Sequence, residues 1–282
     1  MLLAALCFAI NDTMVKYAVK EINNDISLFN VVFIRGVLTS ILILILIFFF
    51  GKLNFKKIFY DKRSYIRGFC EVGAAFCFLT SLMLMPMADV YILLNTAPLI
   101  ITAAGSILLG EKVGIRRWSA VIFGFVGVLI VINPVNLKFG YIFILPISAA
   151  IFLTIKDVVT KGYKDPSNSL EIIFLMSLLV TIAFGMVALF FPIGLNYKTM
   201  FYISISSFFL TIAYLLSVLT IIYAPLSITS TARYSVVVFG IILGYIFFSE
   251  IPSTNMIIGA VIISFSGLFI IKREKDLQKI KH

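Results

Sequence analysis

Charge is scarce in this chain and histidine almost absent. Only 13% of the 282 residues are Asp, Glu, Lys or Arg, and the one histidine is His282, the last residue. Imidazole is the commonest acid-base side chain and metal ligand, so histidine-centred hydrolysis and metal chemistry have no foothold. Cys7, Cys70 and Cys77 all fall in apolar runs and offer neither a disulfide framework nor metal-ligand spacing. They read as packing residues. No G-x-x-x-x-G-K-[ST] phosphate loop occurs, which removes ATP-driven pumping by this chain alone. A membrane enzyme acting on lipid-linked substrates needs clustered acids, histidine or a metal near an interface, and a scaffold is expected to carry a soluble interaction domain or long loops. Neither pattern is present, so the chain reads as non-enzymatic, with no cofactor and no resident metal.

What fills the space is hydrocarbon. The hydrophobic fraction is 61% and the mean hydropathy +1.11, outside the range of soluble domains. A membrane span needs roughly 20 apolar residues, and ten such runs occur, near 2–19, 27–50, 66–85, 88–109, 117–133, 140–160, 169–191, 200–222, 225–249 and 254–271. The expected fold is all-α and integral to the membrane, with ten transmembrane helices. The first run carries Asp12 and Lys16 and no basic segment before them, as in a retained helix rather than a cleaved signal peptide. Lys52, Lys56, Lys57, Lys62, Arg63, Arg67, Lys112, Arg116, Arg117, Lys161, Lys164 and the basic tail from Lys272 fall on one side of these spans; Lys20, Lys138 and Lys198 fall on the other. Basic residues accumulate on the cytoplasmic side, which places both termini of this multi-pass protein there. The net charge of +10 is then topological. Anionic lipid, not nucleic acid, is its expected partner.

The pattern repeats. Asp12 and Lys16 are matched by Asp157 and Lys161 at the same spacing, and Pro86 and Glu111 by Pro225 and Glu250. Residues 1–136 and 137–282 thus read as two five-span repeats. Homologous halves with an odd number of spans lie upside down relative to each other, as in many secondary transporters with a two-gated central site. The Gly124–Gly127 run is echoed by Gly259, Ser266 and Gly267, small residues expected at contacts between helices or protomers of a monomer or homodimer.

Ionisable groups inside a bilayer are costly and mark functional sites by default. Asn11, Asp12 and Lys16 form one cluster, in which Asp12 and Lys16 share a helix face and either neutralise each other or mark a hinge. Arg35 stands alone in the second span, as a ligand for an anionic group or, by preference, as a partner of Asp12 or Asp157. Glu71, four residues after Arg67, reads as half of a boundary salt bridge. Lys156 has no counterpart in the first half, and this marks it for substrate or coupling. Thr229, Ser230, Thr231, Arg233, Tyr234 and Ser235 make the most polar stretch in any span. The Arg233 guanidinium there suits a carboxylate or phosphate. Tyr91 and Asn95 occupy the equivalent region of the fourth span. The candidate substrate-binding set is therefore Asp12, Tyr91, Asn95, Lys156, Asp157, Arg233 and Tyr234, with Asn11, Lys16, Arg35, Glu71 and Lys161 as structural or gating groups.

Asn11-Asp12 followed by Lys16, Pro98 in the fourth span, the Gly110-Glu111 turn and the Ser249-Glu250 turn resemble the EamA-type branch of the drug/metabolite transporter superfamily over nearly the whole chain. Within that branch, Phe8 to Asp12 with Lys16-Tyr17, Phe33 to Arg35, and Ala232-Arg233-Tyr234 look most like the S-adenosylmethionine uptake carriers of intracellular bacteria. Riboflavin importers share the Arg-Tyr-Ser pattern, and amino-acid or metabolite exporters belong to the same branch. The resemblance implies carriage of a small polar metabolite by alternating access. For S-adenosylmethionine, charge matching puts the carboxylate on Arg233, the sulfonium or amine on Asp12 or Asp157, and the adenine on Tyr91 or Tyr234.

Overall fold

The computed structural model describes residues 1–22, 27–50, 62–97, 99–100, 114–132, 140–161, 169–191, 195–223 and 235–280. Among these residues there are ten α-helices and no strand: α1 Leu2–Ile22, α2 Ser27–Phe50, α3 Lys62–Leu84, α4 Met87–Leu94, α5 Ile115–Ile132, α6 Ile144–Lys161, α7 Ser169–Ala188, α8 Tyr197–Tyr223, α9 Ser235–Phe248 and α10 Thr254–Ile280, with a 3-10 turn Gly140–Phe143 leading into α6. Helices satisfy their own backbone groups, the one open-ended solution available in hydrocarbon. Six of them (α1, α2, α3, α6 with its leading turn, α7 and α8) are long and apolar enough to cross a bilayer, and α5, α9 and α10 carry shorter apolar stretches. Large apolar side chains such as Phe48, Phe69, Phe123, Phe208 and Phe265 stand exposed on the outside. In water such a surface would aggregate. It belongs to a multi-pass membrane protein facing lipid.

One expected span is not a single helix. The run 88–109 reads as continuous, yet α4 ends at Leu94. Residue 98 is proline and has no N–H for the Leu94 carbonyl. The backbone tightens instead: the Thr96 N–H bonds to Leu93 O at 3.1 Å and the Leu99 N–H to Thr96 O at 2.9 Å. Pro86 caps α4 with φ −58° and ψ 142°, leaving the tight bend Met85-Pro86 between α3 and α4. Every residue of α4 from Met87 to Leu93 is buried, so the broken helix lies inside the bundle.

Small residues set the closest helix pairs. On α2 and α7, Gly36 abuts Thr181 and the Ser40 and Ser177 hydroxyls are 2.9 Å apart. On α5 and α10, a Cβ on Gly127 would lie 2.9 Å from Ile262 Cγ2, and one on Gly259 only 2.8 Å from the Gly127 carbonyl. The glycines that the sequence marks for packing therefore meet each other within one chain. The most extensive pairings are α5 with α10, α1 with α8, α2 with α7 and α3 with α6; α1 also packs on α9, and α4 on both α9 and α6.

Candidate functional site

From Asn11 to Lys16 every residue of α1 is buried. A polar run inside the bundle must find its partners on other helices, and it does. Asp12 accepts from the Asn11 amide at 2.8 Å and from the Tyr91 hydroxyl of α4 at 2.7 Å. The Asn11 carbonyl accepts from Ser206 of α8 at 2.7 Å and from Arg35 Nη1 of α2 at 3.3 Å. Tyr91 reaches Asp12 because α9 has a glycine where its ring lies: a Cβ at Gly240 would collide with the ring.

A second cluster is built on α3, α6 and α8. Lys156 of α6 pairs with Glu71 of α3 at 3.2 Å, and the Tyr214 hydroxyl of α8 donates to the other Glu71 oxygen at 3.0 Å. Arg67 donates its Nε–H to Thr160 at 2.7 Å. Both clusters face one cavity of about 890 Å³, mouth included, lined by Asn11, Asp12, Arg35, Glu71, Tyr91, Lys156 and Tyr214, together with Phe8, Phe78, Leu94, Leu153, Leu210, Ser217 and smaller apolar groups. Two acids and two bases line it, and Phe78 stacks against Tyr91 at 5.9 Å while Phe8 meets Tyr214 edge-on at 6.0 Å.

Along α1 the lining runs from Met1 to Asp12 and stops one turn short of Lys16. There the bundle is tied together. Lys16 Nζ pairs with Glu250 Oε1 at 2.7 Å and donates to the Met85 carbonyl at 3.1 Å, while Glu250 Oε2 accepts the Met87 N–H at 2.8 Å. The two backbone groups flanking Pro86 are thus held by one ion pair. Ser249, at φ 55°, turns the chain at the end of α9 so that the Glu250 N–H bonds back to Gly244 O at 3.1 Å. Gly244 leaves room for the carboxylate: a Cβ there would stand 3.0 Å from Glu250 Oε2.

Several expected partnerships are corrected by this geometry. Lys16 pairs with Glu250 and not with Asp12, because Asp12 is taken by Tyr91 and Asn11. Arg35 bonds the Asn11 carbonyl instead of a carboxylate, since Asn11 stands between it and Asp12. Glu71 takes Lys156 from a neighbouring helix, and Arg67 is held by Thr160. Of the candidate set, Asp12, Tyr91 and Lys156 line the cavity with Asn11, Arg35 and Glu71. Asn95 and Asp157 are buried but outside its lining. Arg233, Tyr234 and the Lys161 side chain lie outside the described residues. Tyr214, Ser206 and Glu250 complete the polar networks; of these only Glu250 stood out in sequence, through the repeat.

Residues 1–133 match the EamA-like transporter family. The chain carries an EamA-like transporter domain. An S-adenosylmethionine uptake transporter of Rickettsia prowazekii is 28% identical over 291 aligned residues, spanning 100% of this chain and 94% of that protein. A riboflavin transporter of Rhizobium johnstonii is 26% identical across 67% of this chain and 63% of its own length. Among solved structures, a crystal structure at 12% identity superposes with a TM-score of 0.66 over 95% of both chains, a likeness of fold alone. The residues that build the first polar cluster on α1, α2 and α4 all fall within the EamA-like domain.

Proposed function

We propose that this chain is a secondary transporter that takes up S-adenosylmethionine across a bacterial inner membrane by alternating access. The carrying observation is the cavity: both signs of charge and four aromatic rings line it, its lining begins at Met1, and it stops where Lys16 and Glu250 tie α1 to the α3–α4 bend. S-adenosylmethionine presents a carboxylate, an ammonium, a sulfonium and a flat purine, and these walls offer a partner for each. The full-length relatedness to an uptake transporter of that compound supports the same substrate. With both termini cytoplasmic, as the basic residues favour, this is the inward-open arrangement, the outer end being closed by the clamp.

The helix pairings support two inverted five-helix repeats. Exchanging each helix for the one five later turns α1–α8 into α6–α3 and α1–α9 into α6–α4, both observed, and leaves α2–α7, α4–α9 and α5–α10 unchanged. Gly36 and Thr181, in contact on α2 and α7, are separated by the same offset as Asp12 and Asp157, as a pair astride the axis would be.

Riboflavin is the second reading, favoured by the relative of that name and by the aromatic walls. It bears no charge to match the four charged groups of the cavity. Uptake of radiolabelled S-adenosylmethionine by bacterial cells expressing this protein, which otherwise do not import it, tests the choice. Saturable uptake competed by S-adenosylhomocysteine is expected. Absence of uptake with the protein verified in the membrane discards that substrate, and parallel riboflavin and amino-acid arms then decide between import of the one and export of the other.

A further inference from the structure

Four charged side chains line the cavity, and they are not equally occupied. Glu71 holds Lys156 and Tyr214. Asp12 holds Tyr91 and Asn11. Arg35 is different: it is 5% exposed, and among the described residues its one side-chain hydrogen bond is the long 3.3 Å contact from Nη1 to Asn11 and its Nε has no hydrogen-bond partner. A buried guanidinium N–H without an acceptor is costly to keep. A carboxylate is an acceptor whose two oxygens match the fork of a guanidinium.

Asn11 explains why Asp12 does not supply it. The Asn11 carbonyl accepts from both Ser206 and Arg35, and its amide donates to Asp12. The reversed amide would set donors against the guanidinium and the serine and an acceptor against the carboxylate, so the network fixes its orientation. One carboxamide thus separates a cation from an anion along the same wall and keeps both facing the cavity. An α-amino acid presents the complementary pair, a carboxylate and an ammonium one carbon apart.

We propose that Asp12, Asn11 and Arg35 form a subsite for an α-amino-acid head group, with Arg35 on the carboxylate and Asp12 on the ammonium. The inference rests on the transporter reading of this cavity. It differs from the charge matching drawn from the family resemblance, in which Arg233 takes the carboxylate, and it assigns the head group independently of what the rest of the substrate is.

The test is binding to purified, detergent-solubilised protein of S-adenosylmethionine, its decarboxylated analogue, 5′-methylthioadenosine, L-methionine and riboflavin. Wild type should prefer S-adenosylmethionine over the decarboxylated analogue by roughly ten- to a hundredfold. Arg35→Gln should abolish that preference. Should Arg35→Gln fail to give a monodisperse protein, the analogue series on wild type still decides. Equal affinity for compounds with and without the carboxylate overturns the proposal, as does loss of the preference in Arg233→Gln but not in Arg35→Gln. If S-adenosylmethionine does not bind but L-methionine does, with Arg35→Gln abolishing it, the head-group subsite stands and the substrate named above falls. Binding of riboflavin alone, or of none of the five, sinks the subsite.

Discussion

Glu250→Ala is expected to cost about 3–5 kcal/mol of stability, more than Lys16→Met costs, because the two partners are buried to different depths. The Lys16 side chain is 4% exposed and that of Glu250 18%. Without Glu250, the ammonium keeps only the Met85 carbonyl and the face of Phe248, 5.0 Å away. Without Lys16, the carboxylate keeps the Met87 N–H and some solvent. The double variant Lys16→Met/Glu250→Ala leaves no orphaned charge and should be more stable than Glu250→Ala alone. Thermal unfolding of the four proteins in detergent measures this coupling. Losses that simply add would mean that the pair contributes nothing and that the bend at Pro86 is held by packing. The same four proteins carry a functional readout. The clamp joins α1, the α3–α4 bend and the α9–α10 turn, so uptake should fall in every variant that breaks it, including the double variant whose stability recovers.

An all-helical fold and the positions of most of its described helices were legible because hydropathy alone demands them, and α1 announced itself through the one polar run in its span. Partner choice was not legible. Asp12 and Lys16 satisfy the spacing rule for a helical ion pair, yet each bonds to a residue far along the chain, Tyr91 and Glu250, which packing brings in from other helices. A spacing rule describes an isolated helix. In a buried bundle the nearest donors from neighbouring helices outcompete it. Pro98 was visible, but hydropathy reads through a proline, so the end of α4 at Leu94 appears only when the missing N–H is counted against the Leu94 carbonyl. Arg35 could be flagged as costly without its neighbours, whereas its unmatched Nε depends on Asn11 lying between it and Asp12. The match of Lys16 and Glu250 to the second-half Lys161 and first-half Glu111 was already present as spacing. Only the observed ion pair gives that spacing a physical meaning.

Lys156→Met should be as damaging as the loss of Glu250, for a reason that reaches the substrate. Glu71 is 6% exposed and Lys156 12%, so the variant leaves a buried carboxylate with Tyr214 as its remaining partner, a loss of about 3–5 kcal/mol. Arg67, one turn earlier on α3 with its Nη1 unpartnered among the described residues, is one cation that can move to it; Arg35, which lines the same cavity, is the other. Drawn toward Glu71, it would leave the head-group subsite, and uptake should fall further than the fraction of folded protein does. Lys156→Met/Glu71→Gln removes the competing carboxylate, and both stability and uptake should recover toward wild type. Uptake normalised to folded protein in the membrane, measured for both single variants and the double, separates two roles for Lys156. Recovery means that its work is to occupy Glu71 and keep Arg35 free for the substrate. Folded protein without transport in the double variant would mean that Lys156 meets the substrate directly, as its lack of a counterpart in the first repeat suggests on sequence grounds.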